Sequence, residues 1–263
     1  MTEIIIVASI ALTAGLILSI SSIIFATPKD AQVEALTEAL PGINCGACGY
    51  SGCEAYAKAL AKKETTNGLC PPGGAETMRE VAEILGEEAG TIEKKIAVIK
   101  CQGHSENTQA KMVYQGYDTC LAASLIYGGD GSCQYSCLGM GDCQDICPED
   151  AIEIENGLAV VNKNLCTGCG LCVKSCPKNI IEVLPEKFTI HVACRNTDKG
   201  AQTRKVCKTG CIGCMRCKKI CEFEAITVKN FVASIDYDKC TNCGKCVKVC
   251  PMNSIVCPVM ENF

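Results

Sequence analysis

Residues 211 to 221 read CIGCMRCKKIC, with cysteines at 211, 214, 217 and 221. Disulfide staples do not need that density, because cysteines so close in sequence close poor loops. A zinc ribbon uses paired cysteines and does not call for this run. The spacing C-x2-C-x2-C-x3-C is that of thiolate ligands to a four-iron, four-sulfur cluster. An inorganic core at the centre of a domain replaces large apolar side chains. The 263 residues accordingly contain no tryptophan, five phenylalanines and seven tyrosines.

The whole chain holds 25 cysteines. In a short secreted protein that fraction suggests a disulfide scaffold. Here the number is odd, the spacings are of the metal type, and no cleavable signal is recognisable. Thiolates serving a soft metal are the better reading, and the reducing conditions they need put the cysteine-rich arm on the cytoplasmic side. The formal net charge of −4 counts cysteine as neutral. Each cluster, with a core of about +2 and four thiolates, adds about −2. That acidity, with no long basic run, excludes nucleic acid as a partner. No G-x-G-x-x-G follows a strand and no Walker loop occurs, so no dinucleotide site and no catalytic residue is expected.

The fold class expected is α+β: an N-terminal transmembrane helix, a small, mostly helical [4Fe–4S] domain, then two tandem two-cluster ferredoxin-like modules. Residues 4 to 26 carry no charge and no proline. As a helix they span about 34 Å, against about 30 Å for a bilayer core. The start Met-Thr-Glu and the length of the run argue against a signal peptide. Residues 1–28 are therefore expected to form a single-pass anchor in the cell membrane.

Residues 29–95 form the expected single-cluster domain. Cys45, Cys48, Cys53 and Cys70 stand at C-x2-C-x4-C-x16-C. Helical patterns cover 31–40, 54–63 and 75–90, and KIAVIKC at 95–101 reads as a strand. His104 and His191 read as structural or solvated residues, not as ligands.

The rest of the chain is a gapless duplication, in which Cys120 through Cys176 recur as Cys194 through Cys250. The expected modules are 96–188 and 189–263. In a two-cluster unit the fourth cysteine of each run serves the other cluster. That rule assigns Cys211, Cys214, Cys217 and Cys250 to one site, and Cys221, Cys240, Cys243 and Cys246 to its partner. In the first copy Cys147, Cys166, Cys169 and Cys172 form a full set. The remaining site has Cys137, Cys143 and Cys176, with Met140 where the sister copy has Cys214. Either Cys133 supplies the fourth thiolate, which is the favoured reading, or the site holds a [3Fe–4S] cluster. Five [4Fe–4S] clusters are expected in all. Cys101, Cys120, Cys194, Cys207 and Cys257 are left as buried free thiols.

Such an arm moves electrons and rearranges no substrate bonds. A small acidic iron–sulfur protein is the expected donor, and Arg216, Lys218, Lys219, Lys245 and Lys248 form a candidate docking patch. The combination of a leading apolar segment, GINCGACGYSGCEAYAKAL at 42–60 and ferredoxin modules resembles the B subunit of the Rnf complex, in its longer form. The resemblance implies an ion-translocating ferredoxin:NAD oxidoreductase that pumps Na⁺ or H⁺. This subunit would take electrons from reduced ferredoxin and relay them to membrane partners, with residues 86–95 as a hinge. The alternative is a polyferredoxin subunit of another membrane oxidoreductase such as a hydrogenase. It offers no reason for the Cys45 to Cys70 motif.

Overall fold

The computed structural model describes residues 2–24, 30–90 and 93–257. The expected hinge at 86–95 includes residues 91 and 92, which lie outside the described residues.

Helix α1 covers Thr2–Ile24. Among the described residues no helix is long and apolar enough to cross a membrane. The transmembrane helix expected within residues 1–28 is therefore not seen, and that part of the fold expectation is corrected. A span needs about 20 consecutive apolar residues. Hydroxyl side chains at Ser9, Thr13, Ser19, Ser21 and Ser22 interrupt the apolar sequence. The hydroxyls of Ser9 and Thr13 turn back onto the carbonyls of Ile6 and Ser9.

Three helices follow: α2 (Ala31–Ala39), α3 (Cys53–Ala61) and α4 (Gly74–Leu85). Asp30 caps α2 by accepting from the Gln32 N–H at 3.0 Å. Gly86, left-handed at φ 69°, ends α4. Leu36, Leu40, Tyr56, Leu60 and Val81 make their shared core. The Tyr56 hydroxyl donates to the Thr66 carbonyl at 3.1 Å and accepts from the Leu69 N–H at 3.2 Å. It thereby holds the loop that delivers Cys70.

The first ferredoxin-like unit contains β1 (Lys95–Ile99), α5 (Cys120–Leu125), α6 (Asp142–Asp145), β2 (Ile152–Glu155), β3 (Leu158–Val161), α7 (Leu171–Ser175) and β4 (Ile181–Pro185). The second contains β5 (His191–Val192), α8 (Gly200–Val206), α9 (Arg216–Ile220), β6 (Ile226–Lys229), β7 (Val232–Ile235), α10 (Lys245–Lys248) and β8 (Ile255–Val256). Each is built on two antiparallel pairs, β1–β4 with β2–β3, and β5–β8 with β6–β7. The hairpin registers repeat from copy to copy: Ile152 faces Val161, and Ile226 faces Ile235. So do left-handed residues that carry side chains: Asp150 with Glu224, Asn156 with Asn230, and Asn179 with Asn253. Each unit has its own core, in which cysteines mix with Ile, Val and Ala.

The gapless repeat fails on one side of Cys133. The Lys100 N–H donates to the Ile180 carbonyl, and the Ala193 N–H donates to the Ser254 carbonyl. Ile180 and Ser254 occupy the same place in the two copies, so Lys100 is equivalent to Ala193, and Cys101 to Cys194. The stretch between Cys101 and Cys133, which carries α5 and Cys120, is thus longer in the first unit. His191 is buried in β5, where burial and the charges of Lys163 and Lys100 push its pKa down to about 4. It is a neutral structural residue.

Candidate iron–sulfur centres

Short loops, not long elements, present the cysteines, and turns of left-handed backbone shape them. Gly168, between Cys166 and Cys169, has φ +71° and packs so tightly that a Cβ would lie 2.4 Å from the Lys95 carbonyl oxygen. Its counterpart, Asn242, is also left-handed at φ 59°. Gly168→Ala combines a disfavoured conformation with a backbone clash. It is expected to cost about 2–4 kcal/mol, read as a lower temperature for loss of visible absorbance on heating.

Three partly open pockets of similar size lie among the cysteines. One is lined by Cys211, Cys214, Cys217 and Cys250. Another is lined by Cys147, Cys166, Cys169 and Cys172. In both, three cysteines of one run meet the last cysteine of the other. The third is lined by Cys137, Cys143 and Cys176, and the fourth cysteine on its wall is Cys120. Cys133 lies elsewhere. Cys120 opens α5, and the Asp142 carboxylate fixes that helix by accepting from the N–H groups of Cys120 and Leu121 at 2.7 and 3.0 Å.

Cys70 feels the charges of Cys53, Cys45 and Cys48, in that order. The Asn44 side-chain oxygen accepts from the Cys53 N–H at 2.8 Å and ties the first loop to α3. Cys246 feels Cys240, Cys217 and Cys243, and Cys221 packs on the same core. The cysteines most open to solvent are Cys214 and Cys243, both in the second unit.

Burial, with neighbouring thiolates adding to it, pushes Cys143 and Cys172 up to about 12. It pushes Cys217 and Cys246 up to about 11. Thiolates here need a cationic partner. Among the described residues no three His, Cys, Asp or Glu side chains converge closely enough to hold a single metal ion. Ligands of a four-iron core stand farther apart, around a central space, and the donor sets fit that group. N–H groups donate to sulfur as such sites require: Ala97 to Cys166, Ala151 to Cys147 and Ser254 to Cys250, all at 3.3 Å.

Fold and donor sets together define a multi-centre iron–sulfur electron-transfer protein of the ferredoxin type. Residues 40–72 match the family model described as a putative Fe-S cluster, and residues 210–255 match the 4Fe-4S dicluster domain. Residues 123–187 match the LdpA Fe-S cluster-binding domain. The B subunit of the ion-translocating oxidoreductase complex of Methanosarcina acetivorans is 38% identical over 95% of this chain and 95% of its own length. The B subunit of the Na(+)-translocating ferredoxin:NAD(+) oxidoreductase complex of Acetobacterium woodii is 45% identical over 92% of this chain and 73% of its own. The proton-translocating counterpart in Clostridium ljungdahlii is 36% identical over 89% and 83%. The chain belongs to this family, the B subunits of the Rnf complex.

Proposed function

We propose that the chain is the part of an ion-translocating ferredoxin:NAD oxidoreductase that accepts electrons from reduced ferredoxin and relays them to the other subunits of the complex. The family's names support an oxidoreductase complex at a membrane. The observation that carries the relay is the set of cysteine-lined pockets, similar in size and present in both ferredoxin-like units. Residues 29–95 would hold one centre, 96–188 two and 189–263 two. Cys120 replaces Cys133 as fourth ligand beside Cys137, Cys143 and Cys176. When bound, a [4Fe–4S] cluster supplies a one-electron centre.

The chain's own groups set direction and access. Cys214 and Cys243 bring the second unit's sites to the surface, and an open groove runs beside Cys250, lined by Arg216, Lys219 and Lys248. This basic groove suits an acidic donor. Lys245 is committed to Glu222 at 2.5 Å and contributes less. At the other end, the Lys174 ammonium donates to the Cys45 carbonyl at 2.7 Å. Cys169 also feels the charge of Cys45. The first unit therefore abuts the N-terminal domain, and in this reading that domain is the exit.

Anaerobic purification with iron, sulfide and zinc analysis and electron paramagnetic resonance tests the reading. A brown protein with equal iron and sulfide is expected. A colourless protein loaded with zinc would overturn it.

A further inference from the structure

A fourth pocket, similar in size to the three described above, lies between the two ferredoxin-like units. Its wall carries Cys101, Cys133, Cys194 and Cys207. None of these belongs to a run with ligand spacing. Each unit contributes two, in equivalent places. Cys101 and Cys194 each stand two residues beyond the strand that pairs with β4 or β8. Cys133 and Cys207 each stand four residues before the first cysteine of their unit's first run. The four thus come as two equivalent pairs, one from each unit, on the wall of one pocket.

The surroundings match those of a cluster site. The Cys194 sulfur accepts from the Cys211 N–H at 3.2 Å, and the Cys101 sulfur from the Cys137 N–H at 3.4 Å. Cys101 also accepts from the Gly103 N–H at 3.2 Å, and Cys133 lies 3.5 Å from the buried amide of Asn196. Contacts between the units close the space. Thr108 pairs with Cys207 in a bridge and donates its hydroxyl proton to the Val206 carbonyl at 2.9 Å. The Lys208 N–H donates to the Asn107 carbonyl at 2.9 Å, and Thr197 donates to the Tyr135 hydroxyl at 2.9 Å.

We propose that Cys101, Cys133, Cys194 and Cys207 hold a further [4Fe–4S] cluster at the junction of the two units. The inference rests on the relay reading and deepens it. Cys137 and Cys211, each a ligand in a flanking set, donate their N–H groups directly to sulfurs of this one. The site therefore fills the gap between the two units. With these four assigned, Cys257, buried near the Thr189 hydroxyl, is the cysteine left over.

The test uses the full chain, purified without oxygen. Iron and sulfide are each expected at about 24 per chain, rather than the about 20 that five clusters give. Anomalous scattering at the iron edge from crystals of the unaltered chain is expected to place iron in the junction space. Cys133→Ser with Cys207→Ser is expected to remove about four iron ions, while Cys257→Ser removes none. Iron in the five other sets with a junction that holds thiols or a disulfide would overturn this inference alone. No iron anywhere would overturn the relay reading itself. Should the double variant not fold, the scattering measurement on the unaltered chain still decides.

Discussion

Cys120→Ser is expected to convert one four-iron centre into a three-iron centre. The lost iron is the one that a thiolate at the Met140 position would bind, since the equivalent position in the second copy is Cys214. Cys137, Cys143 and Cys176 still line the space and suffice for three irons. The expected result is a loss of about one iron per chain. It comes with a paramagnetic signal in the oxidised state that the unaltered protein lacks. Adding Met140→Cys to the same chain is expected to restore the iron and remove the signal. Rescue separates ligation from a merely structural role, because Asp142 still caps α5 in every variant. An unchanged iron count and no new signal in Cys120→Ser would show that this thiol ligates nothing.

Reversing charge in the groove, Arg216→Glu with Lys219→Glu, is expected to slow electron uptake from reduced ferredoxin by about ten-fold or more at low ionic strength. The two side chains and Lys248 line the groove over Cys250, so both encounter and docking geometry suffer. The defect is expected to shrink as salt is added, because screening weakens long-range attraction. Lys245→Glu is expected to do less, since Lys245 already pairs with Glu222. Rapid-mixing absorbance at several salt concentrations measures all three. Equal rates for the unaltered and reversed chains at low salt would place docking elsewhere.

Local pattern made much of this legible in the sequence. Within a run, ligands lie three or four residues apart, so spacing alone brings Cys211, Cys214 and Cys217 together. The crossing to Cys250 follows from the twofold nature of the unit. The placement of Cys120 beside Cys137, Cys143 and Cys176 was not legible, because the carboxylate of Asp142, distant in sequence, fixes it, and spacing carries no trace of that contact. Met140 signalled that a substitute was needed without saying which cysteine supplies it. The same longer stretch hid the equivalence of Cys101 and Cys194, which only the strand-end hydrogen bonds reveal. Reading Cys120 as the partner of Cys194 split a symmetric set of four into unrelated thiols. At the N-terminus, composition pointed to a span, whereas the described residues of α1 offer none long and apolar enough.

The most direct measurement is anaerobic titration of the purified chain with reduced ferredoxin, followed by visible absorbance and low-temperature electron paramagnetic resonance. A protein that conducts through thiolate-held iron–sulfur centres will bleach stepwise and take up several electrons per chain, with signals broadened by neighbouring centres. A chain that stays unbleached while ferredoxin stays reduced, or that yields isolated signals from a single centre, contradicts a relay.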